Sequence, residues 1–264
     1  MVHATYKLFL ALYLAHVLAD FIFQSDSVVA AKRVGHWRSY LVHGFTHYGT
    51  ILIIVLVMNP RLISTWRFEL VVFALCSVHL LLDAGKLALT NARWIQSDVW
   101  SFTVDQALHL ATVAGAAMLI APPPWQSLTA YLQRIQSAQD KILLLAVIYV
   151  VVVFGGGFLV RYLILPLWKG SPGEPRREYD EVVNAGLYIG WLERFLVLTA
   201  IVMQSPGTVG LIFAAKSIAR YPELKSPGRF AEYFLIGTLL SISIAIVGGV
   251  ILLKVFYGTV TLGK

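Results

Sequence analysis

Long runs of Leu, Ile, Val, Ala and Phe dominate this chain, several close to the roughly 20 residues that a helix needs to cross a hydrocarbon layer. A backbone in hydrocarbon must satisfy its own hydrogen bonds, which leaves only helices and closed barrels. The runs are continuous rather than alternating, so they read as helices and not as barrel strands. Composition agrees: of 264 residues, 58% are hydrophobic and 13% charged, against roughly 25% charged in a soluble domain. The expected fold is all-α and polytopic, with seven or eight transmembrane helices. The segments lie near Tyr6–Gln24, Tyr40–Met58, Phe68–Leu89, Phe102–Ala121, Ile142–Leu167, Ala185–Met203, Thr208–Arg220 and Phe230–Phe256. The seventh is short for a span. The first continues past the length of a signal-peptide core and carries His16 and Asp20, so it reads as a span.

Three parts follow. Residues 1–121 form a four-helix membrane bundle. Residues 122–140 begin with Pro122-Pro123-Pro124, which stops a helix, and continue as an amphipathic interfacial stretch from Trp125 to Gln136. Residues 141–264 hold the C-terminal membrane helices, with a polar cytoplasmic loop at 168–183. Lys and Arg favour the odd-numbered connections, including Lys32, Arg33, Arg93, Lys169 and Lys225. By the positive-inside rule those connections are cytoplasmic and the N-terminus is outside. The same rule accounts for the net charge of +7. No basic face interleaved with aromatics appears, so nucleic acid is not an expected partner. The single cysteine, Cys76, has no intramolecular partner.

Charged groups in spans are costly, which makes them candidates for function. Here they form a pattern. His16 and Asp20 lie on the first helix, His43 and His47 on the second, His79 and Asp83 on the third, Asp105 and His109 on the fourth. Each is an i, i+4 pair, so both side chains leave one helical face. The pairs fall late, early, late and early along helices that alternate in direction, which brings all four to one side of the membrane. His and carboxylate groups converging from facing helices are how bundles build metal sites. The expected cofactor is a divalent metal, zinc first, with iron or manganese as alternatives. Taken singly, each pair has a plainer account as an interhelical hydrogen bond or ion pair. The repetition of all four at one depth favours a site.

Around these eight ligand candidates, Asp20 and Asp105 are candidate general bases and Lys86 a candidate for neutralising developing charge. Lys86 follows Asp83 by three residues and could pair with it. Gln24 and Gln106 lie near the same faces and are candidate substrate-binding residues. A second polar set, Glu193, Arg194, Lys216, Arg220 and Glu232, reads equally as a salt-bridge network or as a substrate site in which Arg194, Lys216 and Arg220 hold an anion. Gly155-Gly156-Gly157 lacks the context of a phosphate loop and suits close packing or a flexible point.

At AHVLADFIFQSD, the His43 region, VHLLLDAGK and VDQALHL the chain resembles a bacterial membrane family catalogued as a domain of unknown function, DUF3307. The C-terminal stretches GLYIGWLERFLVL, AAKSIARY and AEYFLIGTLLS resemble its longer members. The resemblance implies a multi-pass protein of the bacterial inner membrane and brings no activity with it. More loosely, the intramembrane His and Asp pattern is similar to inner-membrane metal-dependent hydrolases. The leading expectation is a membrane-embedded metal-dependent hydrolase acting on a phosphoester or lipid-like substrate at the cytoplasmic leaflet. A divalent-metal or proton transporter is the alternative. A haem or di-iron redox protein and a non-catalytic scaffold with a structural metal follow. The expected partners are the lipid bilayer and a lipid-like or phosphorylated small substrate.

Overall fold

The computed structural model describes residues 2–122, 138–168, 176–221 and 230–257, and these are helical apart from short connections. In chain order the helices are α1 (Val2–Leu18), extended by a π-helical turn (Ala19–Phe23), α2 (Asp26–Arg33), α3 (Trp37–Met58), α4 (Pro60–Ile63), α5 (Trp66–Asn91) and α6 (Val99–Ile120). Then come α7 (Ala138–Val150), extended by a second π-helical turn (Val151–Gly155), α8 (Gly156–Trp168), α9 (Arg176–Val202), α10 (Pro206–Ala219) and α11 (Phe230–Tyr257).

Six segments among the described residues are long and apolar enough to cross a membrane: Thr5–Phe23, Trp37–Met58, Trp66–Asn91, Val99–Ile120, Ala138–Ile164 and Phe234–Tyr257. This is a membrane protein. The other two expected segments are α9, which carries the buried Glu193 and Arg194, and α10. At 14 residues α10 is about 21 Å long, short of a hydrocarbon layer of about 30 Å. The expected interfacial stretch lies outside the described residues, except that Ala138 already belongs to α7. Of the expected cytoplasmic loop at 168–183, residues 169–175 lie outside the described residues, and from Arg176 onward the chain is helical in α9 rather than a loop.

The chain divides into two compact units, Met1–Val147 and Ile148–Lys264. In the first, α1 packs on α3 and α6, and α5 packs on the same two, so four long helices form a closed ring. Each helix lines the ring with one stripe of residues three or four apart. On α1 this stripe is Leu8, Leu12, His16 and Asp20, and on α3 it is His43, His47, Ile51 and Val55. On α5 Phe68, Val72 and Cys76 lead to His79 and Asp83, and on α6 Asp105 and His109 lead to Val113 and Ala117. The apolar members form one buried cluster. Because the helices alternate in direction, every stripe is apolar at one end of the bundle and polar at the other.

In the second unit α9 packs on α10, α11 and the π turn, while α11 also packs on α8. Gly249 lets α11 approach closely, since a Cβ there would lie 2.5 Å from Ile201 Cγ2. Gly249→Ala is expected to cost about 1–3 kcal/mol through overpacking. Thermal unfolding in detergent should show a lowered midpoint, partly recovered by adding Ile201→Ala.

Candidate metal centre

Two local devices aim the polar stripe. An α-helix places residue i+4 about 40° past residue i. The wide π turn after α1 starts between His16 and Asp20 and reduces that offset, so the Asp20 carboxylate swings over the bundle axis beside His16. Such turns recur at functional sites. The second device is the end of α2. Gly35 takes a left-handed φ of 80°, and His36 N–H donates to Ala31 O while Gly35 N–H donates to Lys32 O, both at 3.0 Å. This is a Schellman ending. It holds Lys32 in the last turn, where its side chain is buried rather than solvated. On α6, Asp98 caps the helix by accepting from Ser101 N–H at 2.8 Å, which fixes the start of the helix that carries Asp105 and His109.

All eight His and Asp residues meet at one end of the ring. The five histidines are 1–5% exposed. Three Nε2 atoms and one carboxylate oxygen crowd together at the centre. His43 Nε2 lies 2.9 Å from His79 Nε2, 3.2 Å from His47 Nε2 and 3.1 Å from Asp20 Oδ1. Asp20 Oδ1 lies 2.9 Å from His47 Nε2 and 3.5 Å from His79 Nε2. Hydrogen bonds cannot satisfy this set. An imidazole nitrogen carries at most one hydrogen, so His43 Nε2 can donate to only one of its three neighbours. The remaining contacts set lone pair against lone pair, or hydrogen against hydrogen. A cation at the middle removes the conflict. Four ligands about 2.0–2.1 Å from a tetrahedral ion lie about 3.3 Å from each other, which is the range observed. His16 Nε2 stands 3.5 Å from the other oxygen, Asp20 Oδ2, where it orients the carboxylate.

A second group adjoins the first. His109 Nδ1 lies 2.8 Å from the Asp105 carbonyl oxygen, so Nδ1 carries the proton and Nε2 the lone pair. That Nε2 is buried with no hydrogen-bond partner and faces Asp83 Oδ1 at 3.8 Å. Asp83 Oδ2 lies 3.5 Å from His43 Nε2. Asp83 thus turns one oxygen to each group. His16, Asp20, His47 and His79 could hold a metal ion, as could His43, His79 and Asp83, and Asp83, Asp105 and His109.

Two lysines complete the charge pattern. Lys32 Nζ donates to Asp83 Oδ2 at 2.6 Å. Lys86 Nζ donates to Asp105 Oδ2 at 2.9 Å, so its partner is Asp105 on the facing helix and not Asp83 on its own. Gln106 Nε2 lies 3.4 Å from Asp105 Oδ2. Gln24 ends the first helix, half-buried. The sequence places Lys32 among basic residues of a connection, and no spacing from the His/Asp pairs singles it out. Its one signal is the amphipathic pattern of α2, in which Lys32 follows Val28 by four and Val29 by three.

The second unit is arranged differently. Lys216 Nζ donates to Glu193 Oε2 at 2.6 Å. Arg194, 3% exposed, donates from Nε to Val153 O at 2.9 Å and from Nη1 to Ser241 Oγ at 3.0 Å. The π turn supplies that carbonyl. Gly157 gives the guanidinium room, since a Cβ there would meet Arg194 Nη2 at 2.7 Å. The triple-glycine run therefore serves close packing. Arg220 ends α10, half-buried, and Glu232 lies exposed on α11.

Fold and site together define a polytopic helical membrane protein with a buried His/Asp centre. Residues 8–138 match the family described as "Protein of unknown function (DUF3307)". No curated protein and no solved structure matches the chain.

Lys32 of α2 is buried and Asp83 part-exposed, with Nζ and Oδ2 2.6 Å apart, so removing the lysine leaves a partly desolvated carboxylate without its cation. Chelator-treated Lys32→Ala protein should therefore unfold at a lower temperature than wild type. Arg33→Ala, one residue along and exposed, should unfold with the wild type.

Proposed function

We propose that this protein is a membrane-embedded metal-dependent hydrolase acting on a phosphoester of lipid-like character at the cytoplasmic headgroup level. The observation that carries the reading is the crowding of His43, His47 and His79 Nε2 with Asp20 Oδ1 at separations of 2.9–3.5 Å, which hydrogen bonding alone leaves in conflict. These four residues would hold zinc, with iron or manganese as the other metals suited to imidazole and carboxylate. A bound divalent ion supplies a nucleophilic water at neutral pH and polarises a phosphoryl oxygen.

The chain's own residues supply the rest. Asp105 lies outside the central four and is the better general base. Asp20, the other candidate, is committed to the centre through one oxygen and to His16 through the second. Lys86 stands against Asp105 with the most exposed cationic head of the group, its side chain 31% exposed, and neutralises charge developing on the substrate. Asp83, Asp105 and His109 offer a second ligand group, with Asp83 able to serve both. Three carboxylates against two lysines leave one net negative charge when the imidazoles are neutral. A divalent ion reverses that sign and suits an anionic substrate.

A transporter would need polar groups through the bundle. The half beyond the histidines is instead mostly apolar, filled by Leu8, Leu12, Ile51, Val55, Phe68, Val72 and Val113, with Tyr48 donating to Glu69 beside them. Its two buried threonines are engaged with the backbone, Thr5 with Ala121 O and Thr50 with Thr46 O. This supports hydrolysis over passage.

Protein purified without chelator is expected to contain zinc, iron or manganese by elemental analysis. His43→Ala together with His79→Ala should remove it and lower phosphoester hydrolysis at least about a hundredfold. A metal-free wild type would remove the reading. Metal uptake into proteoliposomes without hydrolysis would replace it with transport.

A further inference from the structure

His109 carries a ligand atom that the protein buries and does not use. The residue is 1% exposed, and its Nδ1 is engaged with the Asp105 carbonyl oxygen at 2.8 Å. Its Nε2 makes no hydrogen bond among the described residues. That Nε2 faces Asp83 Oδ1 at 3.8 Å, so a lone pair stands against a negatively charged oxygen. Two metal–ligand bonds of about 2.0–2.2 Å reach across such a separation. Asp83, Asp105 and His109 each offer one ligand atom, and the three atoms lie within 4.8 Å of one another. Three protein ligands leave a tetrahedral ion one open position, whereas His43, His47, His79 and Asp20 can fill all four.

We propose that Asp83, Asp105 and His109 form a second, weaker divalent-metal site, which fills after the central one, displaces Lys86 from Asp105 and so switches the centre off. Charge sets the order of filling. Asp20, Asp83 and Asp105 against Lys32 and Lys86 leave one net negative charge when the imidazoles are neutral. The first ion reverses that sign, and the second enters against a positive field. Lys32 is buried on Asp83. The Lys86 side chain is 31% exposed and its Nζ lies 2.9 Å from Asp105 Oδ2, so Lys86 is the lysine that water can take up. It competes with the incoming ion for one carboxylate. The switch rests on the reading of Asp105 as general base and Lys86 as the cation that meets the substrate, while the site itself does not depend on it. A carboxylate held by a divalent ion no longer accepts a proton, and a displaced Lys86 no longer neutralises charge on the substrate.

Two variants move the second site in opposite directions. His109→Ala removes a ligand that takes no part in the central four. Lys86→Gln removes the competing ammonium and leaves all three ligands in place. A tighter second site in Lys86→Gln is a gain that a misfolded protein cannot imitate.

Each full-length protein, stripped of metal by chelator in detergent, is dialysed against a series of buffered free zinc concentrations. Bound zinc per chain is then measured by elemental analysis. Wild type is expected to fill in two steps, one ion at low free zinc and a second at higher free zinc. Lys86→Gln should bring the second step to about tenfold lower free zinc, as for loss of one competing hydrogen bond to a charged group, with the first step unmoved. His109→Ala should keep the first step and lose the second. A single step in wild type would overturn the proposal, as would a second step that persists in His109→Ala or stays in place in Lys86→Gln. Phosphoester hydrolysis across the same series should rise with the first step and fall with the second, and a further rise at the second would remove the switch. Two steps without hydrolysis at any loading leave the site and remove the hydrolase together with its switch. Hydrolysis with a single step does the reverse, and a chain that binds no zinc removes both.

Discussion

Five imidazoles and three carboxylates packed at one end of an apolar ring must satisfy one another or a bound cation, because burying unpaired polar groups costs several kcal/mol each. That requirement organises the first unit. The four inward stripes run apolar to polar in step, so the same helix packing that buries Leu12, Ile51, Val72 and Val113 also drives His16, His47, His79 and His109 together. The hydrophobic half supplies the adhesion, and the polar half inherits its geometry. Rigid helices hold the ligand atoms, which is the support that a precise site needs.

The lysines show how incomplete the internal satisfaction is. Lys32 and Lys86 answer Asp83 and Asp105, and Asp20 is left to the histidines alone. Among the described residues His109 Nε2 is buried with its lone pair unpartnered, and His43 Nδ1 and His79 Nδ1, the nitrogens turned away from the centre, also lack partners. A structural ion-pair network would be expected to close on itself, since a half-satisfied network is worse than an apolar core. This one closes around a position where a cation fits.

The i, i+4 pairs and their common depth were legible from residue spacing, because both follow from helix geometry and alternating direction alone. Charge partners were less so. Lys86 is three residues from Asp83, yet its long side chain crosses to Asp105 on α6, a choice made by the angle between two helices that spacing does not encode. Lys32 sits in a connection whose basic residues already had a topological explanation, and only the Gly35 turn folds α2 back so that its last turn reaches Asp83. The π turn after Leu18 carries no proline or glycine, and the one after Val150 runs into Gly155-Gly156-Gly157. They emerge from packing, in one case to aim Asp20 and in the other to free the Val153 carbonyl for Arg194.

The contrast between the two units separates chemistry from support. In the second, Glu193 and Lys216 neutralise each other, and Arg194 spends its donors on a carbonyl and a hydroxyl. The buried nitrogens left over there, Arg194 Nη2 and Trp191 Nε1, are hydrogen donors with no lone pair to offer a cation. In the first unit His109 Nε2 is left with a lone pair that can ligate. Among the described residues the groups able to hold a metal ion all lie in the first unit. The stretch matching the family, residues 8–138, contains all eight His and Asp residues together with Lys32 and Lys86. The part of the chain that matches the family is therefore the part that brings these groups together, whereas in the second unit Glu193 pairs with Lys216 and Arg194 bonds to Val153 O and Ser241 Oγ.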